Sequence, residues 1–407
     1  MWELINANKR NSIILMLTLA FVLLGLGYLI GFAFAPQVAW MGMVVAAIIW
    51  AVMALVSFLS GDKILLSASR AKPVTKEVHP MLFNVVEEMS IAAGLAKMPR
   101  IYIINDAAPN AFATGRTPES ASVAVTAGLL ARLNRDELQG VMAHEISHII
   151  HRDILYVTVA GIMLGTIVML SHVFLRGMFY SSLGGSRRYS SRNNNGQAQL
   201  IMMGVALLAA ILTPILAQLL YFALSRKREY LADAGAVRLT RYPEGLASAL
   251  EKIANDPSPQ LSVANKATAP MYIANPFKRK GQKRLANLSS THPPIEERVK
   301  ILRAMSGASY VDYSRAFTQA TKQPTVLPVS CHQDQAAITT RQAYAETTTS
   351  SQSPLSEPLQ KTGDIIRKVN GFAFLECDCG LKLKIPPNFK SHKVQCPRCR
   401  QTLDIVK

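Results

Sequence analysis

The residue types and spacing with the clearest chemical meaning are those of His144-Glu145-Ile146-Ser147-His148. Residues four apart share one face of a helix, so His144 and His148 can bind one Zn²⁺ together. Glu145 then lies beside the metal, where its carboxylate can accept a proton from a zinc-activated water as general base. The pattern predicts the catalytic centre of a zinc peptidase. The alternative is a pair of buried structural histidines.

The residues around this segment favour a helix. Asn134 and Glu137 form an Asn-x-x-Glu capping arrangement. Apolar residues follow at helical spacing, namely Leu138, Val141, Met142, Ile146 and Ile149. We therefore expect a helix that begins after Asn134 and carries both histidines on one face.

A catalytic zinc takes three protein ligands and keeps a fourth position open. Glu229 and Asp233 lie one helical turn apart in the segment 225–233. Glu229 can be the third ligand, and Asp233 can accept the other ring N–H of a ligand histidine. A glutamate after a basic cluster is also commonly a solvated, charge-balancing residue, and spacing alone leaves both interpretations open.

Half of the 407 residues are hydrophobic, and four apolar stretches reach the ~20 residues that cross a bilayer. They are residues 13–34, 38–59, 154–175 and 200–224. The first is longer than the apolar core of a signal peptide and is followed at once by the second, which predicts a retained hairpin.

Basic residues near the ends of these stretches predict their orientation. Most belong on the cytoplasmic side if both hairpins point outward, although the loop 176–197 is also basic. We expect both termini and the active site to face the cytoplasm. The chain then crosses twice between His148 and Arg226, which places the two motifs side by side at the membrane surface.

Four motifs in this order resemble the HtpX family of membrane metalloproteases, which is related to the CAAX prenyl-protein endoproteases. They are His144–His148, Ser225–Asp233, Asn110–Gly115, and Thr291–Pro294 followed by Glu297 and Arg298. The resemblance implies that His144, His148 and Glu229 bind zinc and that Glu145 is the general base. It also implies a multi-pass enzyme of the bacterial inner (plasma) membrane that degrades misfolded or damaged membrane proteins.

Residues beyond the third ligand are further candidates for the site. In similar proteins such groups approach the metal, where His292 or Arg298 can stabilise an oxyanion. Alternatively, His292 caps a turn and Arg298 pairs with Glu296 or Glu297. His151 and Asp153 either support the zinc histidines or belong to the junction between the zinc helix and the next span.

A substrate-binding edge is predicted between two short strands, Ile101–Ile104 and Ser122–Thr126. The candidates there are Asn110, Ala111, Phe112 and Ala113. An extended peptide added to this edge would be held by main-chain hydrogen bonds, with little demand on its sequence. The alternative makes Asn110 a turn residue and Phe112 a core aromatic.

The C-terminal part changes composition twice. Residues 308–370 are rich in Thr, Ser, Gln, Ala and Pro, which predicts a mostly disordered linker. Four cysteines then form a Cys-x-Cys and a Cys-x-x-Cys pair, the pattern of a zinc ribbon with a structural zinc; they are Cys377, Cys379, Cys396 and Cys399. Two disulfides are the alternative, which a reducing cytoplasm disfavours.

The predicted fold is a mainly α membrane protein with four transmembrane helices, a cytoplasmic α+β zincin-type protease domain and a small C-terminal zinc ribbon. Its segments are a transmembrane hairpin (1–60), two protease parts (61–153 and 225–307) around a second hairpin (154–224), the linker (308–370) and the ribbon (371–407). The net charge of +18 predicts attraction to anionic lipid headgroups. We expect no nucleic-acid binding, because no aromatic residues interleave the densest basic cluster.

These observations predict a zinc metalloendopeptidase that acts on polypeptide substrates, with one catalytic and one structural Zn²⁺. A noncatalytic, zinc-stabilised scaffold that recruits partners through the ribbon is the alternative from another class. It would not require a base such as Glu145. A prenyl-protein processing enzyme shares the chemistry but usually has more spans. Nothing in the sequence indicates an oligomeric state.

Overall fold

The computed structural model describes residues 2–34, 36–154, 164, 167–173, 175–176, 195–257, 272–274, 293–325, 327, 338–344, 356–389 and 391–405. The chain begins with two long helices, α1 (Trp2–Phe34) and α2 (Ala39–Ala68), joined by a short 3₁₀ turn. Within the described residues, one helical stretch, Pro36–Ala68, is long and apolar enough to cross a membrane, and Met16–Phe32 is a shorter apolar one.

These findings are consistent with the first predicted hairpin. The predicted span 154–175 lies partly outside the described residues, and the span 200–224 falls within a longer helix. A four-span topology therefore remains a prediction.

Small residues set the distance between α1 and α2. Gly27 and Gly31 on α1 face Gly42 on α2, and a Cβ atom added to Gly42 would lie 2.2 Å from the Gly27 carbonyl oxygen. Such an approach leaves no room for a side chain, so the two helix backbones are in direct contact.

A four-stranded sheet follows, with the strand order β1-β2-β4-β3. Its members are β1 (Ala71–Pro73), β2 (Arg100–Ile104), β3 (Ala111–Thr114) and β4 (Ser122–Thr126). β2 and β4 are parallel, and the other pairs are antiparallel. The sheet therefore places β3 at an edge, next to the zinc helix.

The helices of the catalytic domain pack beside this sheet around one apolar core. They are α3 (Pro80–Ala92), α4 (Ala127–Leu130), α5 (Arg135–Ile150), α6 (Asn195–Thr240), α7 (Pro243–Asn255) and α8 (Ile295–Arg303). α5 begins at Asn134, where both halves of the predicted capping box with Glu137 are formed. The start of the zinc helix is thus confirmed.

α6 has 46 residues, which corresponds to about 70 Å at the helical rise. It runs without interruption from the predicted fourth span to the segment with Glu229 and Asp233. The two acidic side chains are therefore positioned by the same rigid element that was predicted to leave the membrane.

The C-terminal part contains α9 (Tyr310–Thr321), α10 (Ser356–Val369) and two hairpins, one of β5 (Ala373–Glu376) with β6 (Lys382–Ile385) and one of β7 (Lys393–Gln395) with β8 (Thr402–Asp404). Both helices lie in the segment that the composition predicts to be a disordered linker. The prediction does not hold for them, because α9 and α10 bury apolar faces against the catalytic core.

A short extended piece, residues 338–344, is also ordered by specific contacts. The Arg341 guanidinium donates to Asp136 Oδ1 at 2.6 Å and to Gln139 Oε1 at 2.7 Å, in the first turns of α5. The Tyr344 N–H donates to Asp136 Oδ2 at 2.9 Å. Composition misses this order, because one arginine with several partners on other elements supplies it.

Overpacking the seam of the first hairpin should destabilise the protein. Gly42→Leu would place a side chain against the backbone of α1, and we expect a loss of about 1–3 kcal/mol. The matched control is Gly25→Leu, because a Cβ atom there meets nothing within 4 Å. Thermal unfolding in detergent compares them, and equal melting temperatures would contradict close packing at Gly42.

Candidate active site

The site is built where α5 and α6 cross. A Cβ atom on Gly235 of α6 would lie 2.6 Å from Ser147 Oγ of α5, so a glycine is required for the two helices to approach so closely. Six residues upstream on α6, Glu229 then faces the histidines of α5. One ligand atom each from His144, His148 and Glu229 lies within 4.8 Å of the others.

The distances within this group fit one metal ion. His144 Nε2 lies 3.6 Å from Glu229 Oε2, and His148 Nε2 lies 3.5 Å from Glu229 Oε1. Ligands at ~2.1 Å from a tetrahedral zinc are about 3.4 Å apart. His144 Nε2 is buried and has no hydrogen-bond partner among the described residues, which is expected of a nitrogen that binds a metal.

Each histidine turns its other ring nitrogen toward a carboxylate. His144 Nδ1 lies 2.9 Å from Asp233 Oδ1, as predicted from the helical spacing. His148 Nδ1 lies 3.0 Å from Asp153 Oδ2. Of the two interpretations of Asp153, this contact favours support of a zinc histidine over a simple junction between helix and span. Both carboxylates orient their ring so that Nε2 points to the metal position.

Arg298 on α8 is fully buried behind this group. Its Nε and Nη2 donate to the two oxygens of Asp233 at 2.8 and 2.6 Å. Its Nη1 lies 3.6 Å from Glu229 Oε2. The predicted alternative, a pair with Glu296 or Glu297, is not formed among the described contacts; Glu297 instead accepts a hydrogen bond from Tyr230.

Acidic side chains are buried around the two histidines. Asp153, Glu229 and Asp233 lie there together with Arg228 and Arg298. Burial lowers the pKa of the His144 and His148 imidazoles, but these carboxylates raise it by more, so both pKa values lie above the ordinary value. The negative charge that attracts protons there is what a divalent metal neutralises.

Glu145 lies on the same turn of α5 and is 1% exposed. Burial is the main reason that the pKa of its carboxyl lies above the ordinary value, and the two imidazoles oppose that shift. The Ala113 backbone of β3 lowers the pKa of the same carboxyl slightly, which places the carboxyl next to that strand. A general base is thereby held between the metal ligands and the edge strand.

The predicted substrate edge is at the sheet edge, but it is buried rather than exposed. The Ile273 N–H donates to the Ala111 carbonyl at 2.9 Å. The Asn110 side chain contacts the main chain of Ala274. Phe112 is a core aromatic, 1% exposed, so its alternative interpretation is confirmed.

One feature of the site, the contact of the segment 272–274 with β3, could not be found in the sequence. The segment 272–274 has no periodicity or motif that would link it to β3. His292 lies outside the described residues, so its predicted role stays a prediction.

The four cysteines at the C-terminus also form one group. Cys377 and Cys379 follow β5, Cys396 and Cys399 follow β7, and their Sγ atoms lie within 4.8 Å of one another. The Cys377–Cys399 and Cys379–Cys396 distances are 3.3 and 3.6 Å. Thiolates around a tetrahedral zinc are about 3.8 Å apart, whereas a disulfide requires ~2.05 Å.

The backbone around Cys396 favours a thiolate. The Cys399 N–H donates to its sulfur, which is the largest reason that the pKa of Cys396 falls to about 6, and the Arg398 N–H acts in the same direction. Because metal ligands must be deprotonated, this turn is suited to a metal.

Two histidines and a glutamate around a metal position, a buried carboxylic acid next to them and an adjacent edge strand define a metallopeptidase of the zincin class. Comparisons with known proteins agree. The model of peptidase family M48 matches residues 77–306. The chain belongs to this family and is a zinc metalloprotease. The match ends before α9, so α9, α10 and the cysteine hairpins lie beyond it.

Shorter relatives resemble about three quarters of the chain. "Protease HtpX homolog" of Dictyoglomus thermophilum is 46% identical over 304 residues, which is 75% of this chain and 94% of the relative. "Protease HtpX homolog" of Caldanaerobacter subterraneus is 42% identical over 306 residues, 75% and 98% of the two chains. The resemblance to the HtpX family is thus confirmed.

A solved structure, the crystal structure of S. mikatae Ste24p, is 21% identical with a TM-score of 0.37 and covers 74% of this chain and 67% of that chain.

Removing the carboxylate behind His148 should weaken metal binding. We expect Asp153→Asn to need about tenfold more free zinc for half-maximal reactivation of the metal-stripped enzyme, since outer carboxylates contribute 10–100-fold to affinity. Asp62→Asn, which removes a carboxylate that faces Arg100 instead of the site, is the control. An unchanged midpoint would show that Asp153 does not orient His148.

Proposed function

We propose that this protein is a membrane-bound zinc endopeptidase that hydrolyses peptide bonds of misfolded or damaged membrane proteins. The observation that carries the proposal is the position of Glu145. It lies beside the His144–His148–Glu229 group and also contacts β3, the strand along which a substrate would lie. A scaffold that used zinc only for stability would not require a carboxylic acid there.

The chain's own residues account for the proton transfers. Zinc, when bound, supplies a Lewis acid that polarises the scissile carbonyl and acidifies water. Glu145 accepts a proton from the attacking water and delivers it to the leaving amine. Burial suits the carboxyl to this double role, because its raised pKa lets it hold the proton between the two steps. No covalent intermediate with the protein is formed.

Asp233 and Arg298 complete the positioning. Asp233 orients His144, and Arg298 holds Asp233 through both of its oxygens. The Nη1 of Arg298 lies near Glu229 and is the described cation best placed to stabilise an oxyanion. His292 is retained as the second candidate for that role, on the strength of the sequence motif alone.

Substrate binding as an added strand at β3 accounts for a broad specificity. Main-chain hydrogen bonds recognise any extended polypeptide, and Ala111 and Ala113 present small side chains. Folded proteins do not offer a free strand, which limits cleavage to unfolded segments. This selectivity suits an enzyme of protein quality control.

The location that we propose is the bacterial inner membrane, with four spans and with the site and both termini in the cytoplasm. The apolar stretch Pro36–Ala68 and the continuity of α6 support this topology. With a net charge of +18, the protein would also attract anionic headgroups.

We further propose that the cysteine hairpins bind a second, structural zinc. The spacing of the four sulfurs supports this. α10 leads directly into this ribbon and packs Ile365, Ile366 and Val369 against the catalytic core. Folding of the ribbon around its metal would therefore also hold α10 in place.

Replacing the general base should abolish cleavage. In detergent-purified, zinc-loaded protein, we expect Glu145→Gln to slow casein hydrolysis by at least about a hundredfold, the usual contribution of general-base catalysis. Glu251→Gln, on an exposed ion pair with Arg303, is the control. Equal rates for Glu145→Gln and the wild type would refute the proposed mechanism.

Loss of one ribbon cysteine should remove one metal. We expect wild-type protein to contain two zinc ions per chain by elemental analysis and Cys396→Ser to contain one. Because α10 packs on the catalytic core, the variant should also melt at a lower temperature. Cys331→Ser, outside the predicted ribbon, should keep both ions. A full complement of zinc in Cys396→Ser would exclude the ribbon site.

A further inference from the structure

The segment Tyr272–Ala274 lies along the outer edge of β3. Its three residues stand opposite β3 in antiparallel order, since Ile273 bonds Ala111 while Ala274 contacts Asn110. The Asn110 amide donates to the Ala274 carbonyl at 3.0 Å, and its Oδ1 faces the Ala274 N–H at 3.4 Å. We call these three residues the edge segment.

The edge segment uses a group that a substrate strand would need. Asn110 bonds β4, because its carbonyl accepts from the Thr126 N–H at 2.9 Å. Alternate residues of an antiparallel strand face opposite sides, so Ala111 and Ala113 present their N–H and C=O groups outward. Of these groups, Ile273 occupies the Ala111 carbonyl, the Asn110 side chain accepts from the Ala111 N–H, and the Glu145 carboxyl lies next to Ala113.

The edge segment also accepts a hydrogen bond from Arg298, a buried arginine of the site. The Ile273 carbonyl accepts a hydrogen bond from Arg298 Nη1 at 3.1 Å. The same nitrogen lies 3.6 Å from Glu229 Oε2. The main chain of Ile273 is therefore held by a strand carbonyl on one side and by a site guanidinium on the other, the two kinds of group that would hold a peptide substrate.

The anchor of the edge segment lies outside the catalytic centre. Tyr272 is fully buried at the cytoplasmic end of α2, in a cluster with Leu65, Leu66 and Phe112. Its hydroxyl lies 3.2 Å from Ser69 Oγ. This anchor does not involve the zinc ligands, so among the described contacts only Ile273, through Arg298, connects the edge segment to the metal group.

We infer that the edge segment is an internal competitor of the substrate and sets the substrate specificity of the enzyme. The inference rests on the proposed function. A polypeptide must displace Ile273 from Ala111 and from Arg298 before its own backbone can pair with β3. Only a chain with a run of free main-chain groups can replace these hydrogen bonds, so unfolded segments enter and short or folded ones do not.

When the substrate displaces the edge segment, Arg298 is released and can stabilise the oxyanion. With Ile273 removed, Nη1 becomes free to donate to the substrate carbonyl that takes its place. The segment thus couples binding of an extended chain to assembly of the charge-stabilising group. If the competent state is one molecule in ten, the apparent KM is raised about tenfold by the competition.

A disulfide lock tests the inference. Tyr272 stands opposite Phe112, with ring centroids 5.2 Å apart, at a non-hydrogen-bonded position where Cα atoms are about 4.5 Å apart. That separation is within the range a disulfide spans. In the double variant Phe112→Cys, Tyr272→Cys, oxidation should slow casein cleavage at least about tenfold, and reduction should restore it.

The comparison of oxidised and reduced forms of one protein removes the effect of the lost aromatic rings. Tyr272→Cys alone, treated in the same way, controls for oxidation of the ribbon cysteines. Equal cleavage rates in the locked and reduced double variant would overturn the inference and leave the proposed function intact. If the wild type neither binds nor cleaves casein, the proposed function fails and the inference fails with it.

Amide hydrogen exchange gives a second measurement that needs no double variant and no catalysis. In zinc-loaded Glu145→Gln, saturating casein should raise deuterium uptake in the fragment containing Tyr272–Ala274. Uptake in β2 (Arg100–Ile104) should not change, because that strand is central in the sheet. Casein binding without greater uptake in the edge segment would show a permanent structural strand and overturn the inference.

Discussion

The arrangement of the catalytic domain depends on the contacts of one side chain, the Asp233 carboxylate. It lies on α6, contacts His144 of α5 and accepts two hydrogen bonds from Arg298 of α8, and all three side chains are fully buried. A buried carboxylate is tolerated only with such partners. The three helices therefore have one mutual arrangement, and that arrangement also brings Glu229 to the zinc histidines.

One close approach and one long helix make this arrangement possible. Gly235 lets α6 contact α5 at Ser147, and α6 continues without a break toward the predicted membrane span. Glu229, the third zinc ligand, is consequently positioned by a helix that extends beyond the catalytic domain. The predicted fourth span and the active site share this one helix, so the geometry of the site depends on how that helix is held.

The C-terminal part shows how an addition becomes integrated with a catalytic domain. Arg341 bonds the first turns of the zinc helix, and α10 packs on the core just before the ribbon begins. Arg341 and α10 lie beyond the residues that match the family, whereas their partners lie within them. These contacts form a direct physical connection between the C-terminal part and the catalytic domain.

The sequence was sufficient for the zinc helix, its cap at Asn134, the contact of one zinc histidine with Asp233 and the grouping of four cysteines, because each follows from local spacing or from a metal-binding pattern. The tertiary structure alone decided the partners of Arg298, the order of residues 338–344 and the contact of Ile273 with β3. These depend on pairings between elements that are distant in the chain, for which neither periodicity nor composition carries a signal.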